Sequence, residues 1–121
     1  MKSKHIYLNL FLIDFPITAL MSIGHRITGV LLFLCLPFLL YFFYLTVESQ
    51  SSFDVALSLF SLIYVKFFLK IFSISLIYHF FSGVKHIVLD LGYFDSKFSA
   101  RRFSILTLIV ILFFIFLSIL L

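Results

Sequence analysis

Ile27-Thr-Gly-Val-Leu-Leu-Phe-Leu-Cys-Leu-Pro-Phe-Leu-Leu-Tyr-Phe-Phe-Tyr-Leu-Thr-Val47 is a run of 21 residues without a charge. As a helix rising 1.5 Å per residue it extends about 31 Å, enough for the ~30 Å hydrocarbon core of a bilayer. Phe103 to Leu121 is a second charge-free run of 19 residues. Between them, Val55 to Val84 is apolar apart from Lys66, Lys70 and His79. In lipid each backbone N–H and C=O must be satisfied inside its own segment, so each run is expected to be an α-helix. Membrane strands would show period-two alternation, and none is visible. The expected fold is an all-α membrane protein of one domain, 1–121, with three transmembrane helices at about 16–47, 55–84 and 103–121. Pro37 falls inside the first of them, where a modest kink is tolerated.

Composition excludes the other broad classes. The chain is 64% hydrophobic and 21% aromatic, with 12% charged residues and 19 Phe among 121 residues. A soluble domain is roughly 45–50% apolar and ~25% charged. A chain this short cannot bury so many Phe and keep a wettable surface. A soluble enzyme, a disordered tail and a nucleic-acid binder are therefore set aside, despite a pI near 9.4. Cys35 is the lone cysteine, which leaves no disulfide framework or thiolate metal site, and its apolar surroundings suit a packed thiol. Asp14 and Pro16 interrupt what would be the apolar core of a signal peptide. Asp14-Phe-Pro16 reads instead as a helix start, with Asp near the cap and Pro in the first turn.

The connections carry the orientation signal. Glu48-Ser-Gln-Ser-Ser-Phe-Asp54 reads as a short polar loop without Lys or Arg. The second connection, Lys85 to Arg102, carries Lys85, Lys97, Arg101 and Arg102 against Asp90 and Asp95, and the N-terminus adds Lys2 and Lys4. The positive-inside bias then places the N-terminus and second loop in the cytoplasm or matrix, with the first loop and C-terminus outside.

Ionisable side chains at membrane depth are costly, so each marks a candidate site. In the first segment Ser22, His25, Arg26 and Gly29 follow i, i+3, i+4, i+7 spacing and share one face. Snorkelling to headgroups accounts for Arg26 but not for its neighbours. In the second segment His79, Gly83, His86 and Asp90 follow i, i+4, i+7, i+11. A neutral imidazole at the depth of His79 suits a structural hydrogen bond, a proton relay or a metal ligand. Beside Gly83, which leaves room for a flat macrocycle or another backbone, haem ligation joins these readings on equal terms. His86 suits a haem propionate or a solvated surface equally. Lys66 is expected to snorkel, whereas the deeper Lys70 is expected to need a partner from another subunit. Ser104, Thr107 and Ser118 belong to a lipid-facing and packing surface. Four scattered histidines without HExxH or paired-Cys spacing argue against zinc, and no phosphate loop or nucleophile elbow is present.

Two motifs in these segments resemble a known family. Phe15-Pro-Ile-Thr-Ala-Leu-Met-Ser-Ile-Gly-His-Arg-Ile-Thr-Gly29 resembles the first-helix signature of the cytochrome b anchor subunit of succinate dehydrogenase, respiratory complex II. Tyr78-His-Phe-Phe-Ser-Gly-Val-Lys-His-Ile-Val-Leu-Asp-Leu-Gly-Tyr93 is similar to its second signature, H-x-x-x-G-x-R-H-x-x-x-D. The resemblance implies that His79 is an axial ligand of haem b iron, with His25, Arg26 and His86 near the propionates. It implies that Ser22 and Arg26 border the ubiquinone pocket, and that no residue is catalytic in this chain alone. Lys85 stands where the family has Arg, keeping a point charge but not a bidentate fork.

The second haem ligand is implied to come from another small anchor subunit, which completes the helical bundle. FAD and iron–sulfur clusters would belong to a flavoprotein and an iron–sulfur partner. The short N-terminus resembles bacterial members more than mitochondrial ones, implying a bacterial inner membrane, with the mitochondrial inner membrane as the alternative. Two other functions compete: a haem-free structural anchor of a related complex, and a small proton-coupled transporter titrating His79 or Lys70.

Overall fold

The computed structural model describes residues 16–94 and 96–120. Among them are four α-helices and no strand: α1 (Ile17–Glu48), α2 (Gln50–Ser61), α3 (Ile63–Asp90) and α4 (Lys97–Leu120). Three of these, α1, α3 and α4, are long and apolar enough to cross a membrane. Their 32, 28 and 24 residues extend about 48, 42 and 36 Å, so each exceeds a hydrocarbon core and projects into the interfaces. α1 runs unbroken through Pro37. Pro16 is its N-cap in extended conformation; Asp14, expected near that cap, lies outside the described residues, as do Lys2, Lys4 and Asp95.

The middle of the chain departs from expectation. The segment expected as one helix over about 55–84 divides at Leu62, whose backbone is extended at φ −68° and ψ 133°. The stretch expected as a polar loop is helical from Gln50 onward. Ser49 accounts for that start: its Oγ accepts from Ser52 N at 3.2 Å, and Ser52 Oγ accepts from Ser49 N at 2.9 Å. This reciprocal pair is a capping box built from two serines. At 12 residues, about 18 Å, α2 is too short to span and folds back against α1, where Phe42 and Phe60 stack at 5.1 Å. α3 continues past Val84 to Asp90, then stops where Gly92 takes a φ of 79° that side-chain-bearing residues rarely adopt. Lys85 and Asp90, counted with the second loop, are therefore helical. α4 begins at Lys97 rather than 103, because Ser96 Oγ accepts from Ser99 N at 3.1 Å and caps it.

α3 is the central helix, packed along α1 on one side and α4 on the other. The burial pattern inverts that of a soluble bundle. Met21, Leu45, Ala56 and Ile111 are the buried apolar residues, while Ser75, Ser82, Lys85, Ser104 and Thr107 are also buried. Phe33, Phe43, Phe113, Phe116 and many other large apolar residues point outward. Lipid tails are as apolar as Leu, so nothing drives these side chains inward, and helices instead meet through small and hydroxylated residues. Ser104 and Thr107 are buried without strain because each hydroxyl donates to a carbonyl of its own helix, Ala100 and Phe103, at 2.9 Å.

Candidate functional site

The α1–α3 interface brings three of the four histidines together. The His25 and His79 rings stack with centroids 4.1 Å apart and planes 10° from parallel. His86 lies one step further along, its ring centroid 5.4 Å from that of His25 and tilted by 54°. His79 and His86 come from α3 and His25 from α1, so the cluster depends on the register between the two helices.

Glycines set that register reciprocally. A Cβ on Gly29 of α1 would lie 3.0 Å from Cε1 of His79, and one on Gly83 of α3 would lie 3.1 Å from Nε2 of His25. Each imidazole thus packs into the gap left by a glycine of the opposite helix. Gly24 receives the Tyr78 ring in the same way, with a Cβ there 2.7 Å from Tyr78 Cζ. The room beside Gly83, which suggested a macrocycle or another backbone, is filled by the His25 side chain. Hydroxyl donors reinforce the contact: Ser82 Oγ donates to Met21 O at 3.2 Å and Tyr78 Oη to the same carbonyl at 3.4 Å.

His79 is oriented by one ring nitrogen. Its Nδ1 lies 3.1 Å from the His25 carbonyl, which can only accept, so Nδ1 carries a proton, and in the neutral ring the lone pair is on Nε2. Nε2 makes no hydrogen bond among the described residues. Nε2 is therefore the ring atom that could bind a metal, while His25 stacks on the face of the ring. His79 itself is half-buried.

Around this pair the structure sorts the remaining candidates. Ser22 is half-buried and Arg26 exposed, one turn apart on α1. Arg26 stands outside the histidine stack, and Asp90 is exposed at the end of α3. Lys85 is fully buried at 0% exposure, and neither its Nζ nor Nε2 of His86 has a hydrogen-bond partner among the described residues. Two buried, unpartnered nitrogens beside the histidine stack suit an anionic group, since an orphaned buried polar atom is costly.

Sequence reasoning passed over Thr28, Tyr78 and Ser82, all of which hold the interface together. Thr28 had a legible signal, one turn after Gly24 and adjacent to Gly29. Lys70, expected to need a partner from another subunit, finds one within the chain: its Nζ donates to the Ser118 carbonyl near the end of α4, beside a Ser73–Ser118 hydroxyl contact at 3.0 Å. A cleft of about 820 Å³ opens elsewhere, between the starts of α1 and α4, with Lys97 and Arg101 on its rim. Its lining includes neither Ser22 nor Arg26 nor any histidine.

Comparison with known proteins agrees with this architecture. Residues 1–119 match the family described as succinate dehydrogenase/fumarate reductase transmembrane subunit. A curated relative is the succinate dehydrogenase cytochrome b556 subunit of Coxiella burnetii (strain RSA 493 / Nine Mile phase I). It is 33% identical over 111 residues, which cover 91% of this chain and 88% of that protein. A match along nearly the whole chain, on three apolar helices with paired His/Gly contacts between the two that carry the motifs, establishes that this chain belongs to the succinate dehydrogenase/fumarate reductase transmembrane subunit family.

Proposed function

We propose that this chain is the cytochrome b anchor of a succinate dehydrogenase: it contributes His79 to haem b, borders the ubiquinone site and docks the soluble subunits. The observation that carries the reading is His79 itself. Its Nδ1–H is held by the His25 carbonyl at 3.1 Å, while Nε2 has no hydrogen-bond partner among the described residues. A hydrogen bond from the second ring nitrogen is the usual support of a metal-bound imidazole.

The surrounding residues fit the group. Haem b, when bound, supplies a one-electron centre in the membrane. Nε2 of His79 would hold its iron, and a second anchor subunit would supply the other ligand. Lys85 Nζ and His86 Nε2, buried and unpartnered, suit the carboxylates of the propionates, as do His25 and Arg26. Ser22 and Arg26 would form this chain's share of the quinone site. Reduction places negative charge on a quinone carbonyl oxygen. The Ser22 hydroxyl can donate to that oxygen, and Arg26 adds a positive field that does not titrate near neutrality. The chemistry of succinate would rest with the flavoprotein and its FAD, and electrons would arrive through the clusters of an iron–sulfur subunit. Lys97, Arg101 and Arg102 in the second connection and first turns of α4, against none from Glu48 to Asp54, favour a cytoplasmic N-terminus in a bacterial inner membrane; the mitochondrial inner membrane is the alternative.

A second reading, the haem-free anchor, is favoured by one feature: His25 and His79 stack on each other and fill both glycine gaps from within the chain. The absorbance spectrum of the purified complex separates the two. Replacing His79 with Leu removes the proposed ligand and is expected to perturb or abolish the low-spin haem spectrum. An unchanged spectrum would place the ligand elsewhere.

A further inference from the structure

Thr28 stands beside the same nitrogen of His79 and has no role in the reading above. Its Oγ1 lies 3.4 Å from His79 Nδ1, and within its own helix 2.9 Å from the Gly24 carbonyl and 3.0 Å from that of His25. A threonine hydroxyl has one proton, and both carbonyls can only accept, so that proton is committed to α1. The oxygen lone pairs are then turned toward Nδ1–H of His79. Threonine is stiff at χ1, and bonding back to the i−3 or i−4 carbonyl is one of its two preferred rotamers in a helix. The hydroxyl is therefore held in place by its own helix, whatever His79 does. The next residue, Gly29, leaves the space into which the edge of the His79 ring fits, 3.0 Å from where a Cβ would stand. Thr28 and Gly29 together form a cradle for one imidazole: an acceptor beside its proton and a gap beside Cε1.

We propose that Thr28 is a positioning residue for His79, whose hydroxyl shares the Nδ1 proton with the His25 carbonyl and thereby sets the reduction potential of the iron that His79 ligates. The inference rests on His79 being the haem ligand. An acceptor at Nδ1–H draws the proton outward and makes Nε2 the stronger donor, as outer-shell partners of metal-bound histidines do. A stronger donor stabilises ferric over ferrous iron, so hydrogen bonding around the axial ligand is a lever on potential. Losing the hydroxyl weakens the donor, and the potential rises.

The test uses the purified four-subunit complex, with spectroelectrochemical titration of the haem and its low-spin signature as readouts. Thr28→Val keeps the shape and removes the acceptor; Thr28→Ser keeps the acceptor. Outer-shell substitutions at metal sites commonly cost 10–100-fold in affinity or activity. Taking the lower figure as the change in ferric preference, Thr28→Val is expected to shift the ferric-to-ferrous ratio about tenfold. For a one-electron couple that is a rise of about 59 mV in midpoint. Thr28→Ser is expected to titrate with the wild type. Should the valine variant fail to assemble, Thr28→Ala removes the same hydroxyl without a branched side chain and is expected to show the same rise. Loss of haem in Thr28→Val with retention in Thr28→Ser also supports the hydroxyl as the positioning group. A wild-type potential in Thr28→Val or Thr28→Ala, or equal disturbance in Thr28→Ser and Thr28→Val, overturns the inference. Failure of the underlying reading looks different: His79→Leu would keep the wild-type spectrum, or the wild-type complex would contain no haem.

Discussion

Gly29→Ala and Gly83→Ala are single-methyl additions to opposite sides of the same interface, and the structure separates their consequences. At Gly29 the new Cβ would stand 3.0 Å from His79 Cε1, whereas at Gly83 it would stand 3.1 Å from His25 Nε2. Ordinary contact begins near 3.4 Å, so the His79 ring must retreat by about 0.4 Å, and its Nδ1 contact to the His25 carbonyl, now 3.1 Å, lengthens to about 3.5 Å if the motion follows that bond, the far edge of a hydrogen bond. Overpacking a fitted interface costs roughly 1–3 kcal/mol. Against this, alanine gains ~1 kcal/mol of helix propensity over glycine. The net destabilisation is therefore about 0–2 kcal/mol for either variant, too little to prevent folding and too similar to tell them apart by stability. The haem spectrum is expected to tell them apart. Gly29→Ala displaces the proposed ligand and should broaden or shift the low-spin bands. Gly83→Ala displaces only the stacked neighbour and should leave those bands close to wild type. The check is an absorbance and low-temperature spectrum of each purified complex, with thermal unfolding as the control for folding. The opposite ranking, haem lost in Gly83→Ala and untouched in Gly29→Ala, would mean that the gap at Gly83 accommodates the macrocycle and that the reciprocal packing is irrelevant to ligation.

Ser22→Ala and Arg26→Leu are expected to depress succinate–quinone reductase activity, by up to about 10²–10³-fold for a donor acting directly on the developing oxyanion, while succinate oxidation by an artificial dye persists. Equal loss of both activities would assign α1 to docking instead. Lys85→Met removes a fully buried ammonium that has no partner among the described residues. With the propionates as the proposed partner of Nζ, the haem-loaded complex of this variant is expected to retain haem less well and to unfold at a lower temperature, because removing one member of a buried charge pair leaves the other uncompensated; unchanged haem content and midpoint would count against that contact. Lys70→Leu removes the donor to the Ser118 carbonyl at the end of α4. It should cost about 0.3–1 kcal/mol and speed amide exchange in the last turn of that helix, with unchanged exchange counting against the cap. A tag at the C-terminus is expected to be labelled from the periplasmic side only, and cytoplasmic labelling would reverse the topology.

The number of spanning helices and the all-α class were legible in the sequence alone, because the bilayer acts on each segment separately. A charge-free run of about twenty residues has to be a helix in lipid whatever its neighbours do. The motif residues were legible in the same local way, since i, i+3, i+4 spacing places them on one face before any packing is known. Helix boundaries were read less well where no glycine or proline marks them. Leu62 breaks an apolar stretch without any such residue; the end of α3 did carry its mark, Gly92, but lies beyond the charged Lys85 where a loop was expected to begin. The serine caps at Ser49 and Ser96 were readable in principle, but capping depends on a hydroxyl reaching a particular N–H rather than on composition.

What one helix presents to another was decided only in three dimensions. The rotation and register of α3 against α1 put His25 into the gap at Gly83 and His79 into the gap at Gly29, bury Lys85, and bring Lys70 to the end of α4. Sequence spacing determines which residues share a face. The opposing element determines what that face meets, through contacts of 3–4 Å between residues more than fifty positions apart, such as His79 with the His25 carbonyl and with Thr28. In a membrane this pairing is especially hard to read in advance, because apolar residues are content on either side and polar and small residues alone select the partner face.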